Sequence, residues 1–316
     1  MSKSPRPPVL SILAVALVLV GVGFACAAGA PPAVPDAATS YEVVDVTDSV
    51  VMAVHAHGSN ITCLRQGGGL VFVDAGLSTR LAARFRADME RRFGVPARAL
   101  VLTHAHIDHV LGMAAFADVP VIAAAAGRLF LERLASFTWS KEAIASYAQI
   151  FPTFADVIGD ARPFLPAVWF DDEHQVGTAV DPLVVRRTGG HSACSSHVWW
   201  PQAKVVVAGD LLQVRRRPYF GDPATDLKSW ISALQRWLDA GATGFCPGHG
   251  PAIGASEVTQ IREYFTALTK ALAALKARGV SPEDATDDMS LPPGYWPPAA
   301  VPRWWSASIA AAYRGL

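Results

Sequence analysis

Apolar positions divide the chain into stretches of different character. An almost unbroken apolar run from Val9 to Ala28 follows Lys3 and Arg6, and residues 28–40 are then rich in Ala and Pro. The folded pattern begins near Tyr41. Short, β-branched, mostly alternating segments predict strands over Tyr41–Val46, Val50–His55, Ile61–Leu64 and Leu70–Asp74, separated by polar or glycine turns such as Gly67-Gly68-Gly69. Ser78 is placed to cap a helix running to Phe93, and Gly94 and Pro96 stop it. Arg98–Thr103 and Val119–Ala123 predict buried strands, and from about Ala125 to Phe170 the pattern turns helical and aromatic. Strands return at Val184–Arg187, His197–Trp200 and Val205–Ala208. Asp226–Ala240 carries apolar residues at helical spacing, Thr243–Cys246 is a short strand, Ser256–Ala277 a long helix, and a tail rich in Pro and Trp closes the chain. Strands, then helix–strand alternation, then strands and helices again predict an α/β class with two sheets and helices outside them.

Composition agrees with one large core. The 316 residues are 51% hydrophobic and 17% charged, which excludes global disorder. The formal net charge is zero, and no basic run is long enough for a nucleic-acid track. Arg215-Arg216-Arg217, the densest basic cluster, reads as a solvated loop or a local anion contact. The expected partner is therefore a small-molecule substrate and not a nucleic acid. A basic start, an apolar run and an Ala25-Cys26-Ala27 exit predict that residues 1–27 are a signal peptide or an N-terminal membrane anchor. Lipid attachment at Cys26 is a third option, on a box that fits only loosely. On this reading 28–40 is a linker, 41–316 is the working domain, and the protein is periplasmic or secreted, with any membrane association running through the N-terminus. Cys63, Cys194 and Cys246 remain beyond the leader; their number is odd and their spacing makes no zinc knuckle, so Cys63 and Cys246 are expected as small buried hydrophobes.

The chemistry concentrates at strand ends. Thr103-His104-Ala105-His106-Ile107-Asp108-His109 follows the strand at Ala99–Leu102. Imidazole and carboxylate are the usual nitrogen and oxygen ligands of zinc. Residues two apart in an extended segment point the same way, so His104 and His106 can grip one ion while Asp108 and His109 serve a second. Further candidates stand on turns: Gly189-Gly190-His191-Ser192, Gly209-Asp210 and Pro247-Gly248-His249-Gly250. Five of the nine histidines fall in this set. His55 and His57 also alternate but lack a matching motif and read as strand-face residues; His197 is expected to pack or hydrogen-bond beside the site, and His174 to lie in an acidic loop.

Thr-His-x-His-x-Asp-His, Gly-His-Ser, Gly-Asp and Pro-Gly-His-Gly, in this order, resemble the metallo-β-lactamase superfamily, from about Tyr41 to about Ala277. The resemblance implies an αββα four-layer sandwich with a dinuclear metal site at one edge. It implies His104, His106 and His191 on a first zinc, Asp108, His109 and His249 on a second, and Asp210 bridging. It makes Asn60 and Asp74-Ala75-Gly76 part of the early strands, with Asp74 structural beneath the site. The chain has only Gly112 where relatives often have two glycines after the first motif.

Two zinc ions would draw the pKa of water towards neutrality and supply a hydroxide nucleophile without Ser or Cys. By resemblance Asp108 is the catalytic residue, binding the second zinc and orienting the attacking hydroxide. Asp210 stands where zinc β-lactamases usually carry Cys or Ser, which moves the expectation towards glyoxalase II-like thioesterases, lactonases and related hydrolases. The reading is an exported metal-dependent hydrolase cleaving a small ester, thioester, lactone or amide. The alternatives are β-lactamase activity, or an iron-containing redox enzyme (persulfide dioxygenase-like), since the same ligands can hold Fe or Mn. Phe130, Phe137, Trp139, Tyr147, Phe151, Phe154, Phe164, Trp169 and Phe170 lie between His109 and His191; most are expected as core, with Trp139 and Tyr147 as candidates for lining an apolar substrate pocket within a helical insertion at about 125–170.

Overall fold

The computed structural model describes residues 40–55, 58–137, 140–143, 145, 161–297 and 304–316. The expected leader and all but the last residue of the linker lie outside the described residues, as do His57, Trp139, Tyr147, Phe151 and Phe154.

Among the described residues, two sheets stack face to face. The first has seven strands in chain order: β1 (Glu42–Thr47), β2 (Val50–Val54), β3 (Ile61–Gln66), β4 (Gly69–Val73), β5 (Ala97–Val101), β6 (Val121–Ala124) and β7 (Val168–Phe170). β1 to β4 pair antiparallel, with two-residue turns between β1 and β2 and between β3 and β4, and β4 to β7 pair parallel. The second sheet runs β12 (Gly244–His249), β11 (Val205–Gln213), β10 (Ser196–Trp200), β9 (Asp181–Arg187) and β8 (Glu173–Thr178). Only its β11–β12 pair is parallel, as expected where a helix supplies the crossover.

Side chains alternate across a strand, so a strand buried on both faces feeds two cores. β11 shows this directly. Val205 and Val207 join the core between the sheets, whereas Val206 and Ala208 join the core beneath the outer helices. Helix α1 (Thr79–Phe93) covers the first sheet with Leu81, Phe85 and Met89. Ser78 Oγ accepts the Leu81 N–H at 3.3 Å, and Gly94 ends the helix at φ 65°, as read from sequence. A one-turn helix, α2 (Ile107–Val110), and α3 (Arg128–Ser136) follow. Helices α4 (Leu227–Asp239) and α5 (Ala255–Ala277) cover the second sheet, joined by the short α6 (Pro282–Ala285) and by α7 (Trp304–Arg314). The architecture is the αββα sandwich.

Several expectations change. Val168–Phe170 is an edge strand and not the end of a helical stretch; periodicity cannot separate helix from strand in a run of three. His174 lies on β8, stacked on Phe170, and not in a loop. β11 continues past the glycine of Gly209-Asp210 to Gln213 through an irregular register. The Trp-rich tail contains a helix, α7, that buries Trp305, Ile309 and Ala312. Phe130 is 40% exposed and so is not core. Among the described residues, no helix is long and apolar enough to cross a membrane.

Candidate metal centre

β5 ends in an extended segment and then one helical turn. His106, at φ −65° and ψ 147°, is the last extended residue, and the His109 N–H donates to His106 O at 3.0 Å. That turn separates His104 and His106 from Asp108 and His109. Two glycines are fixed by close approach. A Cβ at Gly248 would stand 2.2 Å from Asp210 Oδ1, and one at Gly190, already at φ +96°, would stand 2.9 Å from Leu211.

All seven residues singled out in the sequence converge. His104, His106, His191 and Asp210 each offer one ligand atom within 4.8 Å of the others, and so do Asp108, His109 and His249. In the first group His104 Nε2 and His191 Nε2 lie 3.1 and 3.0 Å from His106 Nδ1. Asp210 faces both groups: Oδ2 is 3.5 Å from His191 Nε2, and Oδ1 is 3.1 Å from His109 Nε2 and 3.3 Å from His249 Nε2. Asp108 Oδ2 lies 3.2 Å from His249 Nε2. Asp108 and His106 are the least enclosed of these residues, with side chains 31% and 24% exposed, against 0–8% for His109, His191, Asp210 and His249. His104 is buried as well.

The outer ring nitrogens define what the inner ones can do. His109 Nδ1 donates to Asp74 Oδ2 at 2.8 Å. His104 Nδ1 donates to Thr103 Oγ1 at 3.0 Å, which in turn donates to Asp74 Oδ2 at 2.8 Å. His191 Nδ1 donates to Tyr219 O at 3.0 Å, and His106 Nε2 donates to Asp222 Oδ2 at 3.3 Å. With the outer nitrogens protonated, the inner ones are acceptors. The inner lone pairs of His104 and His191 then each face that of His106 at about 3 Å with no proton between them, an arrangement that a cation resolves. In the second group His109 Nε2 and Asp210 Oδ1 are buried and, although 3.1 Å apart, make no hydrogen bond. The residues fit a pair of metal ions on donor chemistry and on these orphaned atoms.

Electrostatics points the same way. Burial, reinforced by the His109, His106 and His191 imidazoles, pushes His104 well below its ordinary value, and burial holds His191 down at about 4. Both are neutral ligands at pH 7. Burial also disfavours the charged forms of His109 and His249, but Asp210 and the neighbouring carboxylates outweigh it and raise both. Burial likewise opposes ionisation of Asp210 and Asp108. The His249 and His109 imidazoles outweigh it, and both carboxyls stay below the ordinary range. The field of this cluster favours a positive charge at its centre.

Some participants carry no signal in the sequence. Asp222 and Tyr219 belong to an irregular loop without a local motif. Thr103 stands out only as part of the first motif. Asn60 secures the His249 turn. Its backbone N–H donates to Gly248 O at 2.7 Å, and its Nδ2 donates to Pro247 O and Gly250 O at 2.9 and 2.8 Å. Conversely, His197 lies away from the ligand groups, its ring 5.0 Å from that of Trp237 under α4. His55 is buried and joins neither group. Cys63, Cys194 and Cys246 are buried and free.

Residues 56–249 match the family model described as "Metallo-beta-lactamase superfamily". A Caenorhabditis elegans protein, beta-lactamase-like protein 2 homolog, is 29% identical over 96 residues, covering 30% of this chain and 31% of its own length, so the likeness spans about a third of that relative. Among solved structures, a metallo-beta-lactamase from Pontibacter korlensis superposes with a TM-score of 0.55 at 22% identity, covering 72% of this chain and 99% of its own. The stereoselective inverting sec-alkylsulfatase Pisa1 from Pseudomonas sp. superposes with a TM-score of 0.63 at 16% identity, covering 87% of this chain and 50% of its own. At these identities the structural likeness concerns the fold, whereas the family match spans most of the chain and all seven converging residues: this chain belongs to the metallo-β-lactamase superfamily.

Proposed function

We propose that the protein is an exported dinuclear zinc hydrolase. The observation that carries the reading is the convergence of imidazole acceptor atoms at 3.0–3.1 Å, each turned inward by a hydrogen bond on its outer nitrogen. His104, His106 and His191 would hold one ion, Asp108, His109 and His249 the other, and Asp210 both. Ions there would lower the pKa of water and polarise the scissile group.

The chain's own residues do the rest. Asp210, 7% exposed and between the groups, supplies negative charge to both. Asp108 is the most exposed of the carboxylates facing the centre, so it can orient a water there. Thr103 and Asp74 keep His104 and His109 in the ligating tautomer. Carboxylate at position 210, in place of the thiol or hydroxyl of zinc β-lactamases, supports an ester, thioester, lactone or amide as substrate rather than a β-lactam.

Metal analysis of purified protein tests the reading: two zinc ions per chain are expected. One iron with oxygen uptake would overturn it in favour of redox chemistry. A panel of thioester, lactone, phosphodiester, secondary alkyl sulfate and β-lactam probes then ranks substrates. Asp108→Ala should abolish turnover and deplete the second ion; full activity in that variant refutes the two-metal account.

A further inference from the structure

The loop between β11 and α4, residues 214–226, touches the metal groups on one side and the C-terminal segment on the other. On its inner side, Tyr219 O accepts from His191 Nδ1 and Asp222 Oδ2 accepts from His106 Nε2. Thr225 Oγ1 donates to His191 O at 3.2 Å, and the Asp226 N–H donates to Gly190 O at 2.8 Å. His106 and His191 thus take their outer partners from one irregular loop. His104 and His109 take theirs from Thr103 and Asp74, inside the sandwich.

The outer side of that loop is held by residues beyond the matched region, which ends at 249. The Trp304 ring meets the Tyr219 ring edge-on at 5.6 Å, and Trp305 meets Phe220 at 5.2 Å. The Phe220 N–H donates to Ser308 Oγ at 3.2 Å, and at the end of β11, just before the loop, Tyr295 OH donates to Gln213 O at 3.1 Å. The Arg217 guanidinium lies 4.5 Å from the Trp305 ring and 5.1 Å from the Trp296 ring. These contacts add to the hold of the Gln213 side chain on Tyr219, whose Nε2 donates to Tyr219 O at 3.1 Å and whose Oε1 accepts the Tyr219 N–H at 3.0 Å; a loop without helix or strand depends on such contacts for its order.

We propose that the C-terminal segment is a positioning element for the first ligand group. Through Trp304 and Ser308 it holds the loop that sets the directions of His106 Nδ1 and His191 Nε2. The inference rests on the metallohydrolase reading, and it makes an asymmetric claim. Loosening the C-terminal contacts weakens the His104–His106–His191 group and leaves the Asp108–His109–His249 group intact: His109 takes its outer partner from Asp74, and the tie from the loop to His249, Val214 N–H to His249 O at 2.8 Å, is a backbone bond at the loop's β11 end, outside the Tyr219 and Phe220 contacts.

The test uses the full chain with Trp304→Ala, which removes the ring over Tyr219, and Trp304→Phe, which keeps one. Stepwise zinc affinities come from chelator competition, and 15N-histidine NMR assigns which imidazoles take up each ion. Trp304→Ala is expected to lower first-group affinity by about tenfold, the low end of what outer partners of metal ligands contribute. Second-group affinity should stay at the wild-type value, and Trp304→Phe should restore the first. Unchanged first-group affinity, or an equal fall in both groups, overturns the proposal. If Trp304→Ala does not fold, Ser308→Ala, which deletes only the hydroxyl facing Phe220, carries the same expectation and the same refutation. A wild-type chain that takes up no zinc sinks the hydrolase reading and this inference with it. A wild type that binds two, beside variants of unchanged affinity, sinks only the positioning role.

Discussion

Asp74→Asn is the sharpest probe of how the centre is built. Asp74 follows β4 at φ 61° and is 2% exposed. Its Oδ1 accepts the Thr103 N–H at 2.8 Å, and its Oδ2 accepts both Thr103 Oγ1 and His109 Nδ1 at 2.8 Å. Asn keeps the volume and tolerates the left-handed backbone, so neither a cavity nor new strain confuses the result. It replaces one acceptor oxygen with an amide NH2. If the remaining oxygen stays on the Thr103 N–H, the NH2 confronts the Thr103 hydroxyl and the His109 Nδ1–H, two donors that had shared a carboxylate oxygen. Hydrogen bonds to a charged group contribute about 1.5–3 kcal/mol each, so losing two removes about 3–6 kcal/mol. That is a large share of a total stability on the order of 5–15 kcal/mol. The same change frees the His109 imidazole to move its proton to Nε2, the atom that faces Asp210. Second-group zinc affinity should then fall by about 10–100-fold. Thermal melting of the metal-free protein reads the first effect, and chelator competition reads the second. A variant that melts with the wild type and binds its second ion equally tightly refutes Asp74 as the common anchor of His109 and Thr103.

Gly112→Ala places a Cβ 2.0 Å from Ala75 O and 3.0 Å from Ser78 O, both backbone atoms, so it should destabilise by roughly 1–3 kcal/mol or more in urea denaturation. Gly68→Ala meets nothing within 4 Å and should stay within about 0.5 kcal/mol; equal effects at the two glycines would contradict the packing. His197 supplies a pH dependence. Burial, with Arg186 and Arg236 adding to it, pushes its imidazole from 6.5 down to about 3. The unfolded chain therefore binds the proton more readily, and the stability contribution is full above about pH 6.5 and drains as pH falls towards 3. About 2 kcal/mol of it is gone at pH 5. His197→Phe should flatten that part of the pH–stability curve, measured by urea denaturation at pH 7 and 5, and an unchanged slope would remove His197 as the cause.

What the sequence disclosed and what it hid follow from the range of the interactions involved. His104, His106, Asp108 and His109 stand together in the chain, and each remaining ligand carries its own glycine turn, so all seven are visible as local patterns. Asp222 is not. It lies 116 residues from His106, and nothing in Gly221-Asp222-Pro223 distinguishes it from any turn acid; only the fold brings the two side chains to 3.3 Å. The helix α1 is legible because its cap, apolar stripe and glycine stop are all local. α7 has an apolar stripe too, at Trp305, Ile309 and Ala312, but prolines at 292, 293, 297, 298 and 302 dominate its flank and read as irregular tail. β7 has three residues, too few for any period to show.

The ligand-bearing turns are tied to one another by bonds that need no metal. Ser196 on the second sheet donates its N–H to Thr103 O on the first at 2.8 Å. Ser59 Oγ donates to Asp108 O at 2.7 Å, and the Val214 N–H donates to His249 O at 2.8 Å. With Asn60 on the His249 turn and Thr225 on His191, every strand end that carries a histidine ligand is fastened through its backbone or its immediate neighbour. This differs from a small zinc module, in which ligands are scattered until the ion folds the chain. Here the folding energy of two cores holds the imidazole acceptor atoms of the first group close together beside carboxylates, an arrangement that a cation relieves. Binding energy is then not consumed in ordering the site. The dipoles and charges around a reacting bond are likewise in place before it arrives, which is the condition under which electrostatic stabilisation of a transition state is largest. The least enclosed parts of the centre are Asp108 and His106, the side from which a substrate of the proposed hydrolase would enter.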